Sequence, residues 1–318
     1  MTRCTLVAGT DEAGYGPNLG PLVVTATLWE VPSDVEPHGM WDSLSGVLTN
    51  QPARNEQRLH VADSKQVYSP SSGLLDLETG VLSLLKSIID VPQTIRGLGK
   101  LLAGDPFESG LLLEPWNLQY DPELPIESFP DELSEYCDQL LEAFDESGVR
   151  LKSVVSRVIF PHEFNVLVEQ ADSKGVVLSA ATLQLVRAVA PDSEQLVRVY
   201  CDKHGGRNRY DGVISDAYED QFVFRLEESM ERSRYRMGRM EFCFRTRAEE
   251  LLPVALASMV SKYLREVLMI GFNQFWQAQI PDLRPTKGYP LDAKRFLEQI
   301  SETAAQLQIP PSLFWRSR

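Results

Sequence analysis

Residues 7–26 read VAGTDEAGYGPNLGPLVVTA and contain most of the information about the fold and the site. An apolar run leads into two adjacent acids, Asp11 and Glu12, and a second apolar run follows a segment of three glycines and two prolines. Apolar runs on either side of such a segment predict a strand, a tight turn and a second strand. Because side chains alternate along a strand, the two acids should point apart, so they can serve one site only where the strand ends.

The glycines of this turn indicate a surface that a substrate can approach. Gly14 and Gly16 permit backbone conformations that other residues avoid, and they leave backbone N–H groups open to a phosphate. The turn can therefore bring backbone N–H groups close to a phosphate.

The composition is typical of a globular protein. The chain has 318 residues, of which 43% are hydrophobic and 24% charged, enough for one large domain or two small ones. No stretch approaches the roughly 20 apolar residues that span a membrane, and the first residues lack the pattern of a signal peptide. The four cysteines are scattered without a CxxC pair, which favours neither a zinc site nor a disulfide framework. We expect a cytoplasmic protein.

The net charge of −14 by itself counts against a polyanionic partner, because nucleic-acid-binding proteins usually have a basic surface. However, divalent metal ions in a carboxylate site add positive charge that the sum omits. Part of the acidity is also local, since residues 121–146 contain no Lys or Arg. We interpret residues 91–150 as an acidic, proline-rich insertion in a single domain of residues 1–318, either a surface elaboration or a lid, with a helix from about Asp131 to Phe144.

A second informative stretch is LVRVYCDKHGGRNRY, residues 196–210. A short apolar strand ends at Asp202, and a flexible basic loop with Lys203 and Arg207 follows. A charged acid at the end of a buried strand is unfavourable unless something pairs with it. A metal ion or a neighbouring lysine would provide that partner.

Other charged residues have an ordinary interpretation beside a functional one. Lys65 in the DSK turn at 63–65 is either a solvated lysine after a helix N-cap or part of a site. Residues 216–240 are predicted to form a helix and an edge strand, and their basic patch is either solvated or binds phosphates. Lys262 and Glu266 lie four residues apart on a long predicted helix, where an ion pair contributes little. The arginines of the basic patch are Arg232, Arg234, Arg236 and Arg239.

Five motifs together resemble the type 2 ribonucleases H, the ribonuclease HII family. DEAGYGPNLGPLVV at 11–24 is similar to that family's DEAGRGPxAGPVV, and DSK at 63–65 to its DSKKL segment. PHEFNVLVEQ running into SAAT resembles the stretch before the family's third acid, to which Asp202 corresponds. ALASMVSKYLRE at 255–266 and KGYP at 287–290 are similar to AAASIxAKxxRD and the following GYP turn.

The resemblance implies an RNase H-like α/β fold, a mixed five-stranded sheet flanked by helices with a C-terminal helical extension. It also implies hydrolysis of RNA paired with DNA by two Mg²⁺ or Mn²⁺ ions. Its four metal-binding carboxylates would be Asp11, Glu12, Asp202 and Glu266. Two ions suit such a reaction, because one activates water and the other stabilises the leaving oxygen, and oxygen ligands favour these hard ions. The predicted substrate-binding residues are Gly14, Tyr15, Gly16, Lys65, Lys203, Arg207 and Lys262.

Two positions depart from the family's pattern. Tyr15 stands where the family has a phosphate-binding arginine, and Glu266 stands where it usually has aspartate. Two alternatives therefore stay open: a nuclease of the same fold with another nucleic-acid substrate, or a non-catalytic nucleic-acid-binding relative. The repulsion among uncompensated carboxylates argues against the second alternative.

The C-terminal tail partly fits the spacing of a sliding-clamp-binding peptide. Gln308, Phe314 and Trp315 are suitably placed, but Pro311 occupies the position that should be aliphatic. A clamp contact is therefore only a weak expectation beside the RNA/DNA hybrid as the main partner.

Overall fold

A computed structural model describes residues 4–69, 71–192, 195–219 and 221–317. Its centre is a mixed sheet of seven strands in the order β5-β2-β1-β6-β9-β8-β7, beside a small parallel pair, β3 and β4. The strands are β1 (Cys4–Ala13), β2 (Leu22–Pro32), β3 (Leu48–Thr49), β4 (Leu59–His60), β5 (Arg150–Ile159), β6 (Val197–Asp202), β7 (Phe224–Glu228), β8 (Arg232–Met237) and β9 (Met240–Arg245).

Helices flank the large sheet, and none of those within the described ranges combines the length and apolar character needed to cross a membrane. They are α1 (Met40–Ser43), α2 (Ser64–Val67), α3 (Leu75–Lys86), α4 (Ile95–Leu113), α5 (Pro130–Ser147), α6 (Pro161–Ala171), α7 (Lys174–Val189), α8 (Asp211–Ala217), α9 (Leu252–Gln279) and α10 (Pro290–Gln306).

Strand directions confirm the RNase H-like α/β fold class. Strand β2 runs antiparallel to β1 and β5, whereas β1, β6 and β9 are parallel. These five strands are the predicted mixed sheet, and β8 and β7 extend it with two antiparallel strands. The prediction of a helix and one edge strand for residues 216–240 was therefore wrong. The period-two alternation of buried Ser233, Tyr235 and Met237 with arginines is a strand pattern that the high charge obscured.

The two faces of the sheet bury different residues of β1. Val7 packs in the cluster that includes α9, and Leu6 and Ala8 pack in the cluster that includes α7. A Cβ at Gly9 would overlap the backbone of Pro253, so the sequence allows α9 to lie directly on the sheet. The predicted long helix with small residues on one face is thus α9, and it covers the face of the sheet on which Val7 lies.

Residues 91–150 pack on the core. Helix α4 lies against β5, and α5 lies against α3. The buried carboxylate of Glu78 accepts backbone hydrogen bonds of 2.7–2.8 Å from residues 126–128 and a 2.6 Å hydrogen bond from Tyr263 of α9. The predicted acidic helix is present as α5, and these buried bonds favour a fixed surface elaboration over a lid.

Candidate active site

Asp11 and Asp202 lie side by side at the ends of two central strands. In the parallel pairing of β1 with β6, Thr10 is opposite Cys201, so the next residue of each strand is an acid. Both acids are on the α9 face, where Ser261 donates a 3.1 Å hydrogen bond to the carbonyl oxygen of Asp11. Glu12 follows in the last two residues of β1. Three of the four predicted acids, Asp11, Glu12 and Asp202, therefore lie near one another where β1 ends.

The three carboxylates repel one another. Burial raises the pKa of Asp11 to about 7, with further contributions from the charges of Asp202 and Asp63. Burial, then Asp11 and Asp202, raises the pKa of Glu12 well above its usual value. The pKa of Asp202 is also raised, first by burial. A cluster of oxygen ligands that are costly to ionise fits the chemistry of a hard divalent cation.

Two further acids belong to this cluster and were not predicted. Asp63 accepts a 3.2 Å hydrogen bond from the backbone N–H of Lys65 and caps α2, with Ser258 of α9 3.5 Å away. Glu249 lies in the short 3₁₀ turn between β9 and α9. Burial, then the charges of Asp202 and Asp63, raises the pKa of Glu249. The DSK motif and the acid pair at 249–250 were the available signals for these residues.

Two of these acids, Asp63 and Glu249, line a cavity, whereas Asp11, Glu12 and Asp202 are not among its lining residues. Its volume is about 350 Å³, and its lining includes Asp63, Gln66, Arg247 and Glu249. Throughout the described ranges, no three His, Cys, Asp or Glu side chains converge closely enough to hold one ion. The donor types and their mutual repulsion fit a divalent cation, whereas binding one requires the side chains to move closer together.

Glu266 has a different environment from the other predicted acids. It is 1% exposed, and its carboxylate accepts from Lys262 (2.8 Å), Lys287 (2.6 Å) and the hydroxyl of Tyr68 (2.8 Å). Burial alone would raise the pKa of Glu266, but the two lysines outweigh it and lower that pKa to about 2. The acid already has cationic partners within the protein.

The two lysines that pair with Glu266 are not equivalent. Burial lowers the pKa of Lys262, whereas the attraction of Glu266 outweighs burial and raises the pKa of Lys287. We attribute more of the stabilisation to Lys287, because this more exposed side chain gives up less hydration. Both ammonium groups also lie over the ring of Tyr68, at 4.8 and 5.1 Å from its centre.

A buried arginine, Arg265, packs against the glycine turn. Gly14 has φ +95°, and a Cβ there would lie 2.5 Å from the carbonyl oxygen of Pro21 and 2.7 Å from Nε of Arg265. Gly16 is exposed, and a Cβ there would meet nothing within 4 Å. Both glycines were predicted to approach a substrate. Gly14 is needed because a larger residue would overlap its neighbours, whereas the backbone of Gly16 is open to solvent.

We expect Gly14→Ala to lower the free energy of unfolding by about 2–4 kcal/mol, because it combines a strained backbone with overlap against a buried guanidinium. Thermal or urea unfolding measures the change. Gly16→Ala is the matched control and should alter stability by less than about 1 kcal/mol. Equal stability of the two variants would contradict the role of Arg265 beneath the turn.

Tyr15 and Arg207 lie together beside the glycine turn. The ammonium group of Lys174 is 4.7 Å from the centre of the Tyr15 ring, and the tyrosine hydroxyl lies 3.2 Å from the position of a Cβ at Gly205. Arg207 is near enough for its charge to act against the rise in the pKa of Tyr15 that burial causes. Tyr15 therefore packs against the basic loop of residues 203–209.

The predicted lysines are in three different environments. Lys65 has an 86% exposed side chain and lies 3.7 Å from the carboxylate of Asp63, beside the acid cluster. Lys203 donates to the carbonyl oxygen of Ser229 (2.6 Å) and so fixes the turn between β7 and β8. Lys262 pairs with Glu266 as described. Lys65 is the one of the three that is both exposed and next to the acids.

The C-terminal tail forms hydrogen bonds with the glycine turn. Arg316 is 1% exposed and donates from its guanidinium to the carbonyl oxygens of Gly14 and Pro17. Its backbone N–H donates a 2.8 Å hydrogen bond to the carbonyl oxygen of Asn18. Phe314, an aromatic residue of the suggested clamp peptide, is fully buried against Trp276. The tail in this conformation cannot offer that ring to a partner.

No family model matches the chain, and no curated protein matches it. Among solved structures, the chain is similar to RNase HII from Archaeoglobus fulgidus in a complex with PCNA, with 14% identity and a TM-score of 0.44 over 98% of this chain and 94% of that one. It is also similar to ribonuclease H2 from Pyrococcus horikoshii OT3, with 14% identity and a TM-score of 0.45 over 97% and 92% of the two chains. A third similar structure is Bst-RNase HIII in complex with Mn²⁺, with 15% identity and a TM-score of 0.40 over 98% of this chain and 66% of that one. These distant similarities concern the whole chain, and the function proposed below rests on the site itself.

Proposed function

We propose that the protein is a metal-dependent endonuclease that hydrolyses the RNA strand of RNA/DNA hybrids. The observation that carries this proposal is the position of Asp11 and Asp202 side by side at the ends of adjacent parallel strands, with Glu12 next in the chain. Burial and the charges of neighbouring acids raise the pKa values of these groups. Such a cluster is unfavourable without a cation, and perturbed acids of this kind are typical of functional sites.

These acids would hold Mg²⁺ or Mn²⁺. A bound divalent cation supplies Lewis acidity at the phosphodiester and neutralises the charge of the carboxylates. Around it, Lys65 would contact a phosphate, and the open backbone at Gly16 would allow close approach of the sugar-phosphate chain. We propose that the acid side chains move closer together when the ion and the substrate bind.

The fourth acid of the site is proposed to be Glu249, with Asp63 beside it. The charges of Asp202 and Asp63 help to raise the pKa of Glu249, so this acid lies near both of them. In contrast, both carboxylate oxygens of Glu266 accept hydrogen bonds from lysine or tyrosine side chains. Glu266 would then organise the cationic residues beside the site. This assignment replaces the position that the family resemblance suggests.

A substrate panel tests the proposal. Purified protein is incubated with an RNA/DNA hybrid, a DNA duplex with one ribonucleotide, an RNA duplex and a DNA duplex, in Mg²⁺, Mn²⁺ or EDTA. We expect cleavage of the hybrid in at least one of the two metals and none in EDTA. If all four substrates stay intact in both metals, the catalytic proposal fails. Calorimetry that shows hybrid binding but no divalent binding would support a non-catalytic binding protein.

A nuclease with a different nucleic-acid substrate is the second candidate. The observation in its favour is that Tyr15 packs against Lys174 and the Gly205 loop, at the position where the resembled family has a phosphate-binding arginine. Preferential cleavage of either all-RNA or all-DNA duplex in the same panel would favour this candidate. Preference for the hybrid would exclude it.

A further inference from the structure

Strands β8 and β7 present an open, arginine-rich face that begins next to the acid cluster. Arg232, Arg234 and Arg236 alternate with the buried residues of β8 and so share the face on which Asp202 lies. Asp202 is paired with Arg245 on β9, and Arg245 is paired with Arg232 on β8. The surface is therefore continuous with the candidate active site.

The charge of this face differs from that of the chain as a whole. Arg232 pairs with Glu227 at 2.8 Å, and Arg245 pairs with Glu250 at 2.9 Å. In the part of the chain that the structure describes, Arg234 and Arg236 have no carboxylate within ion-pair distance. On a chain of net charge −14, two unpaired arginines on one strand indicate an anionic partner.

The same face carries exposed aromatic groups. Phe224 lies opposite Arg236 in the β7–β8 pairing and is 62% exposed, and Phe222 just before β7 is 85% exposed. Large apolar side chains that stay this exposed often mark binding surfaces. Aromatic rings beside arginines on an open sheet suit unpaired nucleic-acid bases, because the bases stack on the rings while the arginines bind phosphates.

The dimensions suit a short stretch of nucleic acid. Two strand spacings of about 4.8 Å separate Asp202 from Arg232, and four residues of about 3.4 Å separate Arg232 from Arg236. The diagonal is about 17 Å, which holds at most about five phosphates of one strand at the roughly 3.4 Å rise of a duplex. The face can therefore bind only a few nucleotides beyond the acids.

We propose that this face, which we call the hairpin face (residues 222–245), binds a single-stranded continuation of the substrate that extends past the cleavage site. Arg234 and Arg236 bind its phosphates, and Phe224 stacks on a base. This assignment takes its partner from the proposed function. It adds a substrate preference, namely a hybrid with a single-stranded end over a blunt hybrid.

The test compares a blunt hybrid of 12 base pairs with the same hybrid carrying a six-nucleotide single-stranded extension at either end. Fluorescence anisotropy in EDTA measures binding without cleavage, and a salt titration gives the number of phosphate contacts. We expect wild type to bind one tailed hybrid at least about 10-fold more tightly than the blunt one. Arg234→Gln/Arg236→Gln should lose this advantage and reduce the magnitude of the salt slope for the tailed hybrid by about 1.4.

Two single variants complete the design. Phe224→Ser should weaken binding of the tailed hybrid by about 5-fold or more, with an unchanged salt slope. Arg150→Gln is the matched control, because Arg150 is an exposed arginine on the opposite edge strand β5. It should keep the full advantage of the tailed hybrid. Far-ultraviolet circular dichroism and the melting temperature check that each variant is folded.

The outcomes separate this inference from the proposed function. If wild type cleaves the blunt hybrid but gains nothing from either extension, the hairpin face assignment is overturned and the nuclease proposal stands. If no hybrid is cleaved but the advantage of the tail depends on Arg234 and Arg236, the face assignment stands alone. If light scattering shows a dimer that Phe224→Ser dissociates, with binding of the tailed hybrid unchanged, the face is a contact between two copies and the assignment is overturned.

Discussion

Replacement of Asp11 by asparagine is expected to reduce cleavage of the hybrid by about 10³-fold or more and to stabilise the metal-free protein. The loss follows because the variant removes a carboxylate from the centre of the proposed cation site. The gain follows because the pKa of Asp11 is raised to about 7 in the fold, so its ionised form opposes folding at pH 8. The shift is about 3 pKa units, and with about 1.4 kcal/mol for each unit a gain of up to about 4 kcal/mol is expected.

The size of this stabilisation depends on pH. A carboxyl group whose folded pKa is above its unfolded value binds more protons in the folded state, so stability falls as pH rises from about 4 to 7. Asp11→Asn should flatten this part of the curve, and its advantage should vanish near pH 4. Urea unfolding in EDTA across this range measures it. Asp138→Asn, at an exposed position of α5, is the control. Retained cleavage in Asp11→Asn would contradict the proposed site.

Replacement of Glu266 by glutamine is expected to destabilise the protein by about 3 kcal/mol at pH 7. The change removes a buried negative charge from Lys262, Lys287 and the 1% exposed Arg265. A buried cation that loses its partner is strongly unfavourable. The pKa of Glu266, lowered to about 2, gives a similar magnitude, because its shift from the usual value is about 2.5 units.

The stabilising contribution of the ionised Glu266 also changes with pH. A folded pKa below the unfolded one stabilises at pH values above about 4.5, and the contribution is lost as pH falls toward 2. Glu108→Gln breaks the exposed pair with Lys100 and should leave the free energy of unfolding almost unchanged. Denaturant unfolding compares the two variants.

Cleavage at a temperature where both proteins are folded assigns the fourth acid. Glu249→Gln should lower the rate by about 100-fold or more, whereas Glu266→Gln should retain most of it. The reverse pattern would restore Glu266 as the fourth metal-binding acid.

The local pattern of the sequence was sufficient to predict the central strands and their acids. The apolar runs on either side of the glycine turn form β1 and β2. Asp202 lies at the end of β6, as the apolar residues before it in the sequence predict. In both cases the information is contained in about ten consecutive residues. The α/β class follows from the same runs together with the long helix α9.

The environment of the acids could not be obtained in this way, because it depends on distant segments. The spacing of Lys262 and Glu266 is visible in the sequence, but the second cationic partner, Lys287, comes from the segment that follows α9. Glu249 joins the cluster only because β9 pairs parallel to β6. Arg265 and Arg316 are almost fully buried, contrary to the general preference of charged residues for the surface.

The contact between the tail and the glycine turn joins two residues that are 302 positions apart, Gly14 and Arg316. At about 5–20 residues per second, a ribosome needs roughly 15–60 s to synthesise the segment between them. During that time the turn beside the acids has no support from the tail, whatever other parts have already folded. The growing chain therefore gains the contact of Arg316 with the turn only after the tail has been made, so we expect a chain that stops before Arg316 to lack this support of the proposed substrate-binding turn.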